Sequence, residues 1–363
     1  MKVLIAMSGG IDSSVVAHLL KEQGHEIVGV RFTLWSDPLA PALAQLLPSK
    51  CCDTQSAVRC AAVAKEIGIP LHIVNLEKEF KEIVVERFLD DYRSGLTPNP
   101  CIGCNRQIKF GKLMELASEY GCDKLATGHY ARVAQEKMPD GTERFLLLEA
   151  TDVEKDQSYY IHDLSQTQLR RVLFPLGAMH KRDVFALAKR YGIPFDEHYR
   201  ESQDLCFFPE KSPHAFIKRH LKNTLQPGTI VRRDGTVVGK HEGLPLYTLG
   251  QRRGLKIGGL KIPLEVVAKD VAGNRLIVAE KDAEKTTSVR VRDLSWVSWQ
   301  PPEGDDTPFD CRTRSLSPRH AGRFRLEGTA GTFTFDTPVP PQSPGQSLVL
   351  YRGDEVIGGG IIV

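Results

Sequence analysis

Along the first half of the chain, short continuous apolar runs alternate with stretches in which apolar residues recur at helical spacing. A run from Lys2 to Met7 leads into helical periodicity from about Ser13 to Gln23, with Val15, Val16, Leu19 and Leu20 on one stripe and Gly24 as the stop. The alternation continues with a strand from Ile27 to Trp35, a helix from Thr54 to Ile67, a strand from Leu71 to Leu76, a helix near Gln107 to Tyr120 and a strand from Lys124 to Thr127. Repeated strand and helix pairs of this kind predict an α/β fold with a doubly wound parallel sheet. The insert from Asp37 to Pro48, with Pro38, Pro41 and Pro48, reads as a surface loop. Past Pro209 the helical period thins out, and short β-type runs such as Thr229 to Arg232, Leu264 to Ala268 and Arg275 to Ala279 lie between turn residues. Ser288 to Val291, Gly331 to Phe335 and Ser347 to Tyr351, with Pro344 and Gly345 as punctuation, fit a small barrel. The pattern divides the chain into an α/β domain (1–208), a small central domain (209–275) and a C-terminal β-barrel (276–363).

With 363 residues, 41% of them hydrophobic, the chain can build several cores. Net charge is +3, yet residues 210–261 hold eleven Lys or Arg against three acids, which leaves the remainder acidic. One basic face meeting a polyanion is the functional reading of that asymmetry, and a solvated surface the plain one. Apolar runs are far shorter than a membrane span, so no membrane partner is expected. The amino terminus enters a strand with no export signal, which points to a cytoplasmic protein whose eight cysteines serve packing, metal binding or catalysis.

The strongest local signal is Ser8-Gly9-Gly10-Ile11-Asp12-Ser13-Ser14, between the first strand and the first helix. Glycines let backbone N–H groups approach a phosphate, and a helix N-terminus adds unpaired donors and the positive end of its dipole. No Gly-Lys-Ser/Thr follows, and Gly-x-Gly-x-x-Gly is absent, so neither a Walker loop nor a dinucleotide fingerprint is present. A second signal, Asn99-Pro100-Cys101-Ile102-Gly103-Cys104-Asn105, sets two thiols at C-x-x-C spacing in what reads as a loop. No second pair completes a zinc site. Cys206, between Leu205 and Phe207, reads on its own as a core cysteine; Cys51, Cys52 and Cys60, before and within a helix, read as structural or incidental, and Cys122 and Cys311 carry no motif.

The Ser-Gly-Gly-x-Asp-Ser loop resembles that of the ATP pyrophosphatase (PP-loop) superfamily. Taken with the cysteine segments, Ala126 to Arg132, Lys155 to Tyr160, Leu173 to Gly177, Tyr247 to Gly259 and the carboxyl end from Pro344, the chain resembles the tRNA-specific 2-thiouridylase family over its whole length. The resemblance implies a PP-loop domain followed by a small central domain and a barrel. It also implies ATP and Mg²⁺ as cofactors, the wobble uridine of a tRNA anticodon as substrate, and an upstream sulfur donor, protein or sulfide. By position, Ala6, Met7, Ser8, Gly9, Gly10, Ile11, Asp12, Ser13, Phe32 and Gly128 would bind ATP, with Asp12 toward Mg²⁺. Asn99, Pro100, Cys101, His129, Lys155, Asp156, Gln157, Arg314, Ser315 and Gln346 would meet tRNA, Cys104 would be the nucleophile and Cys206 the persulfide carrier. Many family members have Asp at the position of Cys101. With a thiol there, Cys101, Cys104 and Cys206 are expected to bind a four-iron four-sulfur cluster, with a persulfide and disulfide pair of Cys104 and Cys206 as the competing reading. An amidating synthetase of the same loop type and a non-catalytic RNA-binding protein are the rival functions.

Overall fold

The computed structural model describes residues 1–41, 54–195, 205–210, 212–258 and 262–363. Strands β1 (Lys2–Ala6), β2 (Glu26–Thr33), β3 (Leu71–Asn75) and β4 (Lys124–Ala126) lie in one parallel sheet. A hairpin of β5 (Arg132–Lys137) and β6 (Glu143–Leu148) leaves that sheet, and β7 (Val172–Leu173) returns to it, giving the order β3-β2-β1-β4-β7. Val3, Leu4 and Ile5 of β1 are wholly buried, as the central strand of a sheet covered on both faces must be. Winding runs one way from β1 through β2 to β3 and resumes on the other side at β4. The crevice between the carboxyl ends of β1 and β4 is therefore the switch point where such sheets bind ligands.

A second sheet holds β8 (Gly228–Arg232), β9 (Val237–His241), β10 (Leu264–Asp270) and β11 (Arg275–Glu280) in the order β10-β11-β8-β9. The last six strands are β12 (Thr286–Trp296), β13 (Asp306–Arg312), β14 (His320–Glu327), β15 (Ala330–Val339), β16 (Ser347–Arg352) and β17 (Glu355–Ile362). They follow the order β12-β15-β14-β13-β16-β17, and pairing of β12 with β17 closes them into a barrel. The β5–β6 hairpin docks on its outside, Val356 of β17 pairing with Leu147 of β6. Hydrophobic period does not reveal such a pairing between segments two hundred residues apart.

Two helices begin earlier than their periodicity predicts. The first spans Ile11–Glu22 rather than starting at Ser13, because Gly10 is its N-cap. The helix expected near Gln107 begins at Pro100 and runs through residue 119, with a π-helical stretch over Cys104–Lys112. Asn99 caps it by accepting the Cys101 N–H at 3.2 Å, and Pro100 stands where its missing N–H costs nothing. The C-x-x-C pair therefore occupies the first helical turn, correcting its assignment to a loop. Helical turns over residues 77–93 had no counterpart in the periodicity reading.

The basic stretch is less free than its composition implies. Glu242 pairs with both Lys218 and Lys256, which hold its carboxyl down to about 2, Arg219 pairs with Asp37 and Glu210, and Arg233 with Glu284. Arg252 and Arg253 stay exposed on the turn after Leu249. Among the described residues no helix is long and apolar enough to cross a membrane.

Candidate active site

The turn from Met7 to Gly10 leaves β1 at the switch point and delivers the chain into the Ile11–Glu22 helix. Gly9 has φ of +80°, and a Cβ there would lie 2.3 Å from the Ser56 carbonyl oxygen, so both conformation and space demand glycine. Hydroxyls tie the loop together: Ser8 N–H donates to Ser13 Oγ at 3.2 Å, and Ser13 and Ser14 donate to the Gly10 carbonyl at 3.1 and 3.0 Å. From the Thr54–Ile67 helix, Arg59 Nε donates to the Gly9 carbonyl at 2.8 Å and Cys60 Sγ to that of Met7 at 3.4 Å. Gly10 offers no side-chain cap, which leaves first-turn N–H groups to meet an anion. Met7 and Ile11 are buried beneath the loop, and Ala6 and Phe32 are half-buried on the adjoining strands.

Asp12 points into the crevice. One oxygen, Oδ1, accepts the Lys181 ammonium at 2.7 Å and the Tyr130 hydroxyl at 3.0 Å. Lys181 is buried and opens the helix Lys181–Arg190, where a helix dipole disfavours a cation. Gly128, just past β4, packs so close to the loop helix that a Cβ would lie 3.2 Å from the Ser13 nitrogen. Next to it, His129 Nδ1 lies 2.8 Å from Thr127 Oγ1, with the ring near those of Phe110 and Phe174. Burial, and secondarily the Lys109 cation, hold its imidazole well below its ordinary value, so it is neutral at pH 7. Gln157 grips the same segment, accepting the Tyr130 N–H at 3.0 Å through Oε1 and donating its own N–H to the Tyr130 carbonyl at 2.8 Å.

Cys101 and Cys104 sit one turn apart at the start of the cysteine helix, Cys101 half-buried and Cys104 buried. Cys206 reaches them from a distant part of the chain only in the sense of sharing a core: Cys104, Phe207 and Phe208 belong to one apolar cluster, and Cys206 packs against it. Asn105 anchors the helix by donating to the Tyr160 carbonyl at 3.0 Å. The remaining described cysteines are packing residues; burial raises the thiol pKa of Cys60, Cys122 and Cys311. Cys51 and Cys52 lie outside the described residues.

Beyond the cysteine helix and His129, the residues expected to meet tRNA fall on three segments. The carboxyl-terminal turn holds the approach to Asn99: Gln346 Nε2 donates to the Thr97 carbonyl at 2.7 Å, and Thr97 N–H to that of Pro344 at 2.8 Å. Arg314 is exposed and donates to Ser343 Oγ at 2.7 Å, and Ser315 bonds the Tyr160 side chain. Lys155 is half-buried, whereas Asp156 is buried with its carboxylate accepting from Ala150, Ser158 and Arg312, so its observed contacts are internal. Lys181 and Arg59 escaped the sequence reading, while Tyr130 and Asn105 lay within segments it singled out without being given a role. The one available signal was a lysine at the first position of a helix.

Asp12 suits a magnesium ion. Its side chain is 33% exposed and Oδ2 has no partner among the described residues, and Mg²⁺ asks for one or two carboxylates beside phosphate oxygens and water. The three thiols fit an iron-sulfur cluster less well. Among the described residues, no three Cys, His, Asp or Glu side chains gather as a group able to hold a metal.

A parallel sheet with a glycine turn and helix end at its switch point defines a PP-loop nucleotide-binding protein. Residues 1–210 match the family described as "tRNA methyl transferase HUP domain", 214–280 the "tRNA methyl transferase PRC-barrel domain" and 286–362 the "Aminomethyltransferase beta-barrel domain". A tRNA-specific 2-thiouridylase MnmA of Chloroflexus aurantiacus is 42% identical, over 99% of this chain and 98% of its own length. One of Roseiflexus castenholzii is 40% identical, over 99% of each. The chain belongs to the tRNA-specific 2-thiouridylase family. A crystal structure of a 4-thiouridine synthetase–RNA complex with bound ATP covers 61% of this chain and 50% of its own at 18% identity, and its TM-score of 0.34 is too low to carry weight.

Proposed function

We propose that this protein is an ATP-dependent tRNA uridine 2-sulfurtransferase that adenylates the wobble uridine over the Ser8–Ser13 loop and passes sulfur to it through Cys104 and Cys206. What supports the reading is that the helix bearing Cys101 and Cys104 reaches, through Phe110, the ring of His129, next to Gly128, which packs against the phosphate-loop helix at Ser13, and that the barrel holds the approach to Asn99 through Gln346. A uridine C2 carbonyl is a poor electrophile, so its oxygen first attacks the α-phosphate of ATP and pyrophosphate leaves. Loop N–H groups, the helix end and the Lys181 ammonium face the charge that develops. When bound, Mg²⁺ on Asp12 would neutralise part of the phosphate charge.

A persulfide on Cys206 then attacks C2 and displaces AMP. Attack of the Cys104 thiolate on Cys206 Sγ leaves the outer sulfur on the base and joins the two cysteines as a disulfide. An external thiol reduces that disulfide, and a protein persulfide then transfers its outer sulfur to the Cys206 thiolate. With sulfide as donor, sulfide attacks Cys206 Sγ of the disulfide itself, expelling the Cys104 thiolate and leaving the persulfide on Cys206. Asn99, Lys155, Gln157, Arg314 and Ser315 would receive the anticodon strand; in support, Asn99 caps the cysteine helix and Ser315 bonds Tyr160, whose carbonyl holds Asn105 of that helix.

Mass spectrometry of tRNA nucleosides after incubation with ATP, tRNA and sulfide tests the assignment: 2-thiouridine forms and pyrophosphate is released with it. Pyrophosphate release that proceeds without tRNA, with ammonia giving an amide, would favour the amidating synthetase instead. The two-cysteine scheme predicts that Cys101→Ala retains most thiolation and that protein freed of iron keeps its rate when supplied with sulfide. Loss of activity in both would return the cluster on Cys101, Cys104 and Cys206. Binding of tRNA should weaken with salt, and replacing Arg252 and Arg253 together by Ala should lower the slope of log affinity against log salt by about 1–2, as for two phosphate contacts. An unchanged slope would leave these arginines as braces of their turn.

A further inference from the structure

Between the nucleotide site and the barrel lies a buried polar node. Glu149, just past β6, and Asp156 are 8% and 3% exposed. Two barrel arginines face them: Arg312 Nη1 lies 3.1 Å from Glu149 Oε1 and 3.5 Å from Asp156 Oδ2, and Arg319 Nη2 meets Glu149 Oε2. Glu149 Oε1 and Arg312 Nε make no aligned hydrogen bond, so Arg312 and Glu149 meet chiefly as charges. Both guanidinium groups also lie over the Tyr351 ring, at 5.5 and 4.3 Å. Two positive and two negative groups thus balance at a depth where an uncompensated carboxylate is costly.

Asp156 joins this node to the ATP site. Its Oδ1 accepts the N–H groups of Ala150 at 2.9 Å and Ser158 at 3.3 Å, and Oδ2 the Ser158 hydroxyl at 2.8 Å, which sets the path of the chain through Gln157. Gln157 bonds the Tyr130 backbone on both sides, and the Tyr130 hydroxyl donates to Asp12. We infer that Arg312, although on the barrel, is a positioning residue for adenylation, acting through Asp156 and Gln157 on the Tyr130 hydroxyl that orients Asp12. Burial already raises the pKa of the Asp156 carboxyl, and the neighbouring Glu149 charge adds to it. Without the Arg312 cation, Asp156 would face the Glu149 charge with only Arg319, on the far side of Glu149, to offset it, which favours the protonated Asp156 carboxyl and loosens its grip on Ala150 and Ser158.

The inference rests on the adenylation reading, and a double-mutant cycle separates the two. Initial rates of tRNA-dependent pyrophosphate release at saturating ATP and tRNA, with the KM for ATP, are measured for wild type, Arg312→Met, Tyr130→Phe and the double variant, each checked for folding by thermal melting. Each single change is expected to lower kcat about tenfold, the loss of one hydrogen bond to a charged group, with the KM for ATP moving less than about twofold. Because both act on one path, the double variant should also lose about tenfold, and Arg312→Lys should recover most of the rate. A loss of about a hundredfold in the double variant, the product of independent effects, or a wild-type rate in Arg312→Met, would overturn the relay and leave Arg312 a brace between domains. Should Arg312→Met not fold, Arg312→Gln takes its place in the cycle under the same criteria. Wild-type protein that releases no pyrophosphate with tRNA would remove the adenylation reading itself, and the relay with it.

Discussion

Serine in place of Cys104 or of Cys206 is expected to stop 2-thiouridine formation, by about a thousandfold or more, while tRNA-dependent release of pyrophosphate continues. The hydroxyl nearly matches the thiol in size but is far harder to ionise and cannot carry a persulfide. The expected cost in stability at Cys104 is modest, about 1–2 kcal/mol for a hydroxyl placed in the apolar cluster where the thiol is buried. Nucleoside mass spectrometry and a pyrophosphate assay on the same samples check both halves. Cys122→Ser and Cys311→Ser serve as comparisons, since burial keeps both thiols protonated and neither belongs to the site. Thiolation at the wild-type rate by either the Cys104 or the Cys206 variant would remove the two-cysteine scheme.

A second large effect is expected at the Asp12–Lys181 pair, where Asp12→Ala should lower adenylation about a hundredfold to a thousandfold and also destabilise the fold. The lysine side chain is 8% exposed and the carboxylate 33%, so removal of the acid deprives a buried ammonium of a close counter-charge. Breaking a fully buried pair costs about 3–5 kcal/mol, and the partial exposure of Asp12 brings the expectation to about 1–3 kcal/mol. Lys181→Met separates the two consequences. It removes the buried charge while filling its space, so stability should change by less than about 1 kcal/mol while adenylation still falls, if the Lys181 ammonium faces the phosphates as proposed. Thermal unfolding and pyrophosphate release, measured side by side, decide the matter. Full adenylation by both variants would show that neither group serves the ATP site.

The alternation of runs and helical period was enough to predict the parallel sheet, because strands buried on both faces and helices lying on them each impose their own spacing on nearby residues. The phosphate loop was equally legible, since Gly9 must adopt a positive φ against the Ser56 carbonyl and the loop must sit between strand and helix. Asn99 and Pro100 also carried a helix start that the hydrophobic period alone placed too late. Other features had no local signature. Lys181 reaches Asp12 across 169 residues of sequence, the β5–β6 hairpin joins a barrel whose strands begin some 140 residues later, and Cys206 meets the core around Cys104 only after a hundred residues have folded between them. The fate of the basic stretch was likewise open in composition, since Lys218, Arg219, Arg233 and Lys256 carry the same charge whether they face solvent or the acids that pair with them. What the sequence determined by itself was the set of conformations and chemistries that neighbouring residues impose on one another. Which distant groups meet at the crevice depends on how the buried faces pack, and that only the tertiary structure decided.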